Sequence, residues 1–214
     1  RVRAVRDAVG SAVGIAIDAH GLLNPVNAVA MARRLAPYGI LFYEEPILPE
    51  SAAALADVRR RIDIPVATGE RLFGRHAFRE LLVQEAVDVI QADVGNAGGI
   101  LEVYKIAAMA EAFYVSLAPH NPWSPLSTAI SLHLDAVVPN FLIQEIPTAG
   151  AHVGRAMLLQ QQIEQPTDGF LDIPDGPGWG VDLDEGYIAA HPWDPTTQRT
   201  AWRPQRPDGG LIHS

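Results

Sequence analysis

Six polar residues recur along the chain at nearly constant steps. Asp18, Glu44, Glu70, Asp93, His120 and Glu145 are separated by 26, 26, 23, 27 and 25 residues, and each closes a short apolar run. Three carboxylates that converge repel one another unless a cation neutralises them. Their oxygens suit a hard divalent ion such as magnesium, so Asp18, Glu44 and Glu70 form a candidate metal site. In "YEEP" (43–46) the two acids point to opposite sides of a strand. The spacing assigns Glu44 to the metal and leaves Glu45 a structural role. His20 follows Asp18 by two residues, and alternation on an extended strand places both on one face, which makes His20 a candidate acid or base. Asp93 and His120 close successive runs. A carboxylate beside an imidazole orients the ring and favours its charged form, so this pair is a second acid/base group. It is expected across the mouth from His20. Glu145 completes the ring, as a hydrogen-bonding or salt-bridging group.

The elements that must hold these residues follow from the hydrophobic rhythm. Runs rich in Val, Ile and Phe predict strands over 13–18, 39–44, 65–69, 87–92, 114–119 and 141–145. Between them, helices are predicted near 25–36, 50–61, 74–84, 98–112 and 125–137. Asn24-Pro25 suits a helix start and Gly39 a helix stop. A strand, a helix and two short loops account for the repeated step. Alternating strands and helices predict a parallel sheet with right-handed crossovers. An open doubly wound sheet gathers polar groups at its switch point. Six decorated strand ends instead favour a partial TIM-type (β/α) barrel, whose active sites lie at the carboxyl ends of its strands. Six strands do not close an eight-stranded barrel, so the first two strands are expected to lie outside this sequence. Residues 1–146 then form the β/α units that carry the site. Residues 147–214, rich in Pro, Gly and Asp and with little helical period, form a loop-rich segment whose Trp179, Trp193 and Trp202 pack on the rest.

Composition narrows the function classes. The chain has 214 residues, 48% hydrophobic and 19% charged, with a net charge of -9, which disfavours nucleic acid and anionic membranes as partners. The absence of cysteine excludes disulfides and thiolate chemistry within the sequence. No apolar run approaches the length of a membrane span, and Arg1-Val2-Arg3 does not open a signal peptide, so a cytoplasmic location is expected. Lys105 is the only lysine, which limits any mechanism that needs a lysine base. "GNAGG" (95–99) is not a dinucleotide fingerprint. His76 and His133 read as structural or surface residues, His191 and His213 have no visible partners, and Arg71 is placed to neutralise nearby acids.

The motifs "IDAH", "FYEEP", "ATGERL", "VDVIQADVGNAGGI", "LAPHNPWSPL" and "FLIQE" together resemble the mandelate-racemase-like branch of the enolase superfamily. Within it the likeness is greatest to sugar-acid dehydratases acting on galactonate, and it extends into "DGFLDIPDGPGWGV". The resemblance implies that Asp18, Glu44 and Glu70 bind Mg2+, which grips the substrate carboxylate and stabilises an enediolate. It implies that His20 takes the C2 proton and that His120, tuned by Asp93, protonates the departing 3-hydroxyl. Glu145, with His20 and His120, contacts the substrate, and the product is a 2-keto-3-deoxy acid. A small-molecule partner and a homo-oligomer are implied as well. The lysine pair and the amino-terminal capping domain of many relatives are not in this sequence. Dehydration of mannonate or gluconate, racemisation or epimerisation, and, outside enzymes, a noncatalytic metal-binding barrel are the alternatives.

Overall fold

Small polar residues and prolines start the helices. Asn24, Ser51 and Ser124 each accept a hydrogen bond from a main-chain N–H in the first helical turn that follows, and Pro25 and Pro125 open two of those turns. The computed structural model describes residues 1–147 and 154–192. The elements run α1 (Val2–Val9), β1 (Ile15–Asp18), α2 (Pro25–Leu35), β2 (Ile40–Glu44), α3 (Ala52–Arg60), β3 (Val66–Thr68), α4 (Gly74–Val83), β4 (Val89–Ile90), α5 (Ile100–Glu111), β5 (Ser116–Leu117), α6 (Pro125–Asp135) and α7 (Glu185–Ala190). Strands β1 to β5 form one parallel sheet in chain order. This is the α/β pattern of a partial barrel. No helix among the described residues is long and apolar enough to cross a membrane.

The two faces of the sheet differ. Tyr43, Val66, Ile90 and Leu117 face the helices and join cores with Leu55, Phe78, Leu81 and Ile106, all buried. Each such side chain contributes about 1.5–3 kcal/mol on burial. Phe42, Ala67, Val89 and Ala118 form a separate small cluster on the concave face. Alternation then carries Glu44, Gln91, Asp93 and His120 toward that same side as the strands end.

One irregularity sets this arrangement. Ile15 pairs with Ile40 but Ile17 pairs with Tyr43, so β2 contains one residue more than β1 across the interval. Ile40 and Tyr43 therefore both face the helices. Strict alternation from Ile40 would have turned Glu44 to the helix side. The bulge reverses that and sets Glu44 beside Asp18.

Two expectations need correction. The predicted sixth strand, 141–145, is reduced to a single parallel bridge between Phe141 and Leu117. Among the described residues it has no strand on its other side, and Phe141, Leu142 and Ile143 remain exposed. The downstream segment also contains a helix that its composition did not suggest. Asp184 accepts from the Tyr187 N–H and starts α7. This short helix follows a strong N-cap rather than a long apolar period. His152, Trp193, Trp202 and His213 lie outside the described residues.

Asp135 ends α6 with both carboxylate oxygens buried and, among the described residues, no hydrogen-bond partner for either. Burial pushes its pKa up to about 8. Between about pH 4 and pH 8 the unfolded chain releases this proton while the folded chain keeps it. Stability therefore falls as pH rises across that window and levels off above it. Asp135→Asn should match wild type near pH 4 and gain about 1–3 kcal/mol above pH 8. Melting temperatures of both proteins across that range check this; an equal gain at both ends would contradict it.

Candidate active site

The site forms where the chain leaves the sheet. β1 ends at Asp18, and His20 follows in a left-handed conformation (φ 49°), with Gly21 (φ 65°) next. The strand alternation expected to align Asp18 with His20 therefore does not operate. A tight turn folds the histidine back onto the carboxylate instead. The His20 N–H donates to Asp18 Oδ1 at 2.7 Å, and His20 Nε2 lies 3.0 Å from Asp18 Oδ2. A Cβ at residue 21 would lie 2.6 Å from Leu48 Cδ2, so both the turn and the packing call for glycine.

Glu70 stands next to a second required glycine. Gly69 (φ 153°) passes so close to β4 that a Cβ there would lie 2.8 Å from the Gln91 backbone. One ligand atom from each of Asp18, His20 and Glu70 lies within 4.8 Å of the others. Glu44 is not in this tight group, in contrast to the expected Asp18–Glu44–Glu70 set. It is held instead by a side-chain hydrogen bond with Gln91, whose position favours the charged carboxylate. Burial, with the charges of Asp18, Glu145 and Glu70, nevertheless pushes the Glu44 pKa up to about 8. Three neighbouring carboxylates with hard oxygen donors fit a divalent cation such as magnesium.

Glu45 is fully buried, with φ 38°, and Arg71 Nε donates to its Oε2 at 2.8 Å. Arg71 Nη2 also lies 3.4 Å from Glu70 Oε1. Arg71 is thus the cation between the second glutamate of "YEEP" and the candidate ligand.

Asp93 is fully buried and accepts four hydrogen bonds. Oδ1 takes the N–H groups of Gly95 (2.6 Å) and Asn96 (3.1 Å). Oδ2 lies 2.7 Å from His120 Nδ1 and accepts from Trp123 Nε1, also at 2.7 Å. Burial pushes the Asp93 pKa up, but these bonds and the His120 charge hold it below the usual range. Burial likewise disfavours the charged form of His120. The hydrogen bond to Asp93 and the charges of Glu145, Glu70 and Asp93 outweigh it and raise the His120 pKa. His120 Nε2 lies 3.4 Å from Glu70 Oε2. Both histidines therefore reach Glu70, one from β1 and one from β5. Glu145 is exposed, and its Oε2 accepts from the Asn121 N–H at 2.7 Å.

Trp123, Gln91 and Asn121 were not singled out from sequence. Trp123 and Asn121 both lie inside "PHNPW", where Asn121 directly follows the site histidine and Trp123 stands three residues beyond it, and that proximity is the available signal. A cleft of about 480 Å³ opens beside Trp123, lined by Val94, Asn96, Leu126 and Ile130 among others. It carries no carboxylate or imidazole and so lies beside the polar group. His133 packs on Trp179, and His191 stacks on Tyr187.

The family model described as "Enolase C-terminal domain-like" matches residues 1–187. D-galactonate dehydratase of Ralstonia pickettii is 37% identical over 209 residues, covering 95% of this chain and 54% of the relative. D-galactonate dehydratase of Pectobacterium atrosepticum is 37% identical over 216 residues, covering 98% and 56%. The chain thus spans about half the length of the curated relatives it matches. Among solved structures, an enolase from Agrobacterium radiobacter with bound sodium and L-malate superposes with a TM-score of 0.89 at 37% identity, over 100% of this chain and 56% of that one. A mandelate racemase/muconate lactonizing enzyme-like protein from Rubrobacter xylanophilus gives 0.84 at 37% identity, over 90% and 49%.

Proposed function

The chain belongs to the enolase C-terminal domain-like family, and on that premise we propose that it carries the catalytic residues of a magnesium-dependent sugar-acid dehydratase, with D-galactonate as the substrate. The observation that carries this reading is the convergence of His20 and His120 on Glu70 beside Asp18 and Glu44. The names of the relatives support the reaction class, and L-malate in the Agrobacterium structure is, like an aldonate, a 2-hydroxy acid.

Asp18, Glu44 and Glu70 would hold the magnesium ion. When bound, it supplies positive charge against the substrate carboxylate and makes the proton on the adjacent carbon more acidic. His20 accepts that C2 proton. His120, kept protonated by Asp93, donates its proton to the 3-hydroxyl, and the C3–O bond breaks with its electron pair leaving in water. The C2–H electron pair becomes the C2–C3 double bond. The resulting enol gains a proton at C3 and loses one from the 2-hydroxyl, giving a 2-keto-3-deoxy acid. The net change is loss of one water. Glu145 orients the substrate from the last strand position.

A panel of aldonates, including galactonate, mannonate and gluconate, should be incubated with the full-length protein with and without magnesium. Galactonate should give a 2-keto product that disappears on chelation and returns when magnesium is added. An isomer of unchanged mass would instead establish an epimerase or racemase, which two facing histidines also serve. Magnesium-independent turnover would overturn the metal assignment.

A further inference from the structure

We propose that Asn121 is a positioning residue that fixes Glu145 and, through Thr128, ties it to the downstream segment carrying Glu164. The proposal rests on the reading of Glu145 as a substrate contact. Asn121 follows His120 directly and is fully buried. It holds Glu145 at two points. Its main-chain N–H donates to the Glu145 carboxylate at 2.7 Å, and its Nδ2 donates to the Glu145 main-chain oxygen at 3.0 Å. The same Nδ2 donates to Thr128 Oγ1 at 2.7 Å. Thr128 is also fully buried, and its hydroxyl meets the Glu164 carboxylate.

The direction of donation gives this chain its strength. An amide N–H donates to a hydroxyl, and the hydroxyl donates to the Glu164 carboxylate. Each bond polarises the next, in a setting where water competes little. Behind Glu145 the chain has one parallel bridge, at Phe141, and no ladder among the described residues. Among the described residues, the carboxylate and the main-chain oxygen of Glu145 are both held from Asn121, the residue next to His120. The position of the substrate-facing acid is thereby coupled to that of the proposed proton donor.

The test is a double-mutant cycle in the full-length protein with D-galactonate and magnesium. Asn121→Ala, which keeps the main-chain N–H on the carboxylate but removes the Nδ2 bonds to the Glu145 main chain and to Thr128, should raise KM about tenfold and change kcat less than about threefold, as Glu145→Gln should. The double variant should be no worse than the worse single one, since both remove one function. Thr128→Val should show a smaller rise in KM that Thr128→Ser restores. Losses that multiply, a loss confined to kcat, or equal impairment by Val and Ser at residue 128 would overturn the proposal. Amide hydrogen exchange over 141–147 gives a readout independent of turnover. It should speed up about tenfold or more in Asn121→Ala and stay unchanged in Glu145→Gln. If wild type dehydrates no aldonate, the functional reading falls. The tie itself then stands or falls by exchange alone.

Discussion

His20→Asn is expected to lower kcat by about 10³-fold or more while leaving magnesium affinity within about threefold of wild type. The two readouts separate two roles that the geometry allows. His20 is in the tight group with Asp18 and Glu70, so its ring is placed either to accept a proton or to bind the ion. The turn that positions it uses the His20 main-chain N–H on Asp18, and asparagine keeps that bond. The Asp18 carboxylate is therefore retained in place, and only the imidazole is lost. If magnesium affinity falls together with kcat, His20 is a ligand and the base must be found elsewhere. Unchanged turnover would refute the proposed proton abstraction.

Asp93→Asn should cost about 10²–10⁴-fold in kcat, and the loss should fall on the departure of the 3-hydroxyl rather than on proton abstraction. An amide cannot replace this carboxylate. Four donors point at its two oxygens, and asparagine has one oxygen to offer. One or more buried donors is left unpaired, at about 1–3 kcal/mol each, so the melting temperature should fall as well. The His120 ring also loses the charge that raises its pKa. It then loses its proton at lower pH, and the alkaline limb of the kcat profile should move to lower pH. Because His20 is untouched, Asp93→Asn should still exchange the C2 proton of galactonate with D2O, whereas His20→Asn should not. Loss of exchange in both variants would show that the two histidines do not divide the work in this way.

The extent to which the molecule is legible in its sequence depends on the range over which each feature is determined. Helix starts are local. Asn24-Pro25 and Ser124-Pro125 contain both the cap and the first turn, and those helices begin where expected. Strand order follows from the repeated step, because one strand and one helix of ordinary length use a fixed amount of chain. The sixth run keeps its place beside β5 through the bridge at Phe141, but a ladder needs partners along the strand, and among the described residues it has that one bridge. His20 was brought to Asp18 by the wrong device. Alternation is a property of extended chain, and the chain ceases to be extended at Asp18. Glu44 illustrates the remaining difficulty. Its place beside Asp18 was expected from spacing, but its hydrogen bond with Gln91 depends on a strand two positions along the sheet. No local pattern encodes that contact.

The bulge in β2 changes what kinds of sequence variation this site tolerates. Residues 41 and 42 lie within the interval where two strands count differently, and the identity of either is constrained mainly by packing. Loss of one residue there removes the bulge, and plain alternation from Ile40 then keeps Tyr43 toward the helices and Glu44 toward the mouth. The site cannot absorb the full count of residues in an unbulged strand, which turns Glu44 to the helix side and Glu45 to the mouth. Which acid stands at the mouth is therefore set by how the two strands are paired and not by the length of β2 alone.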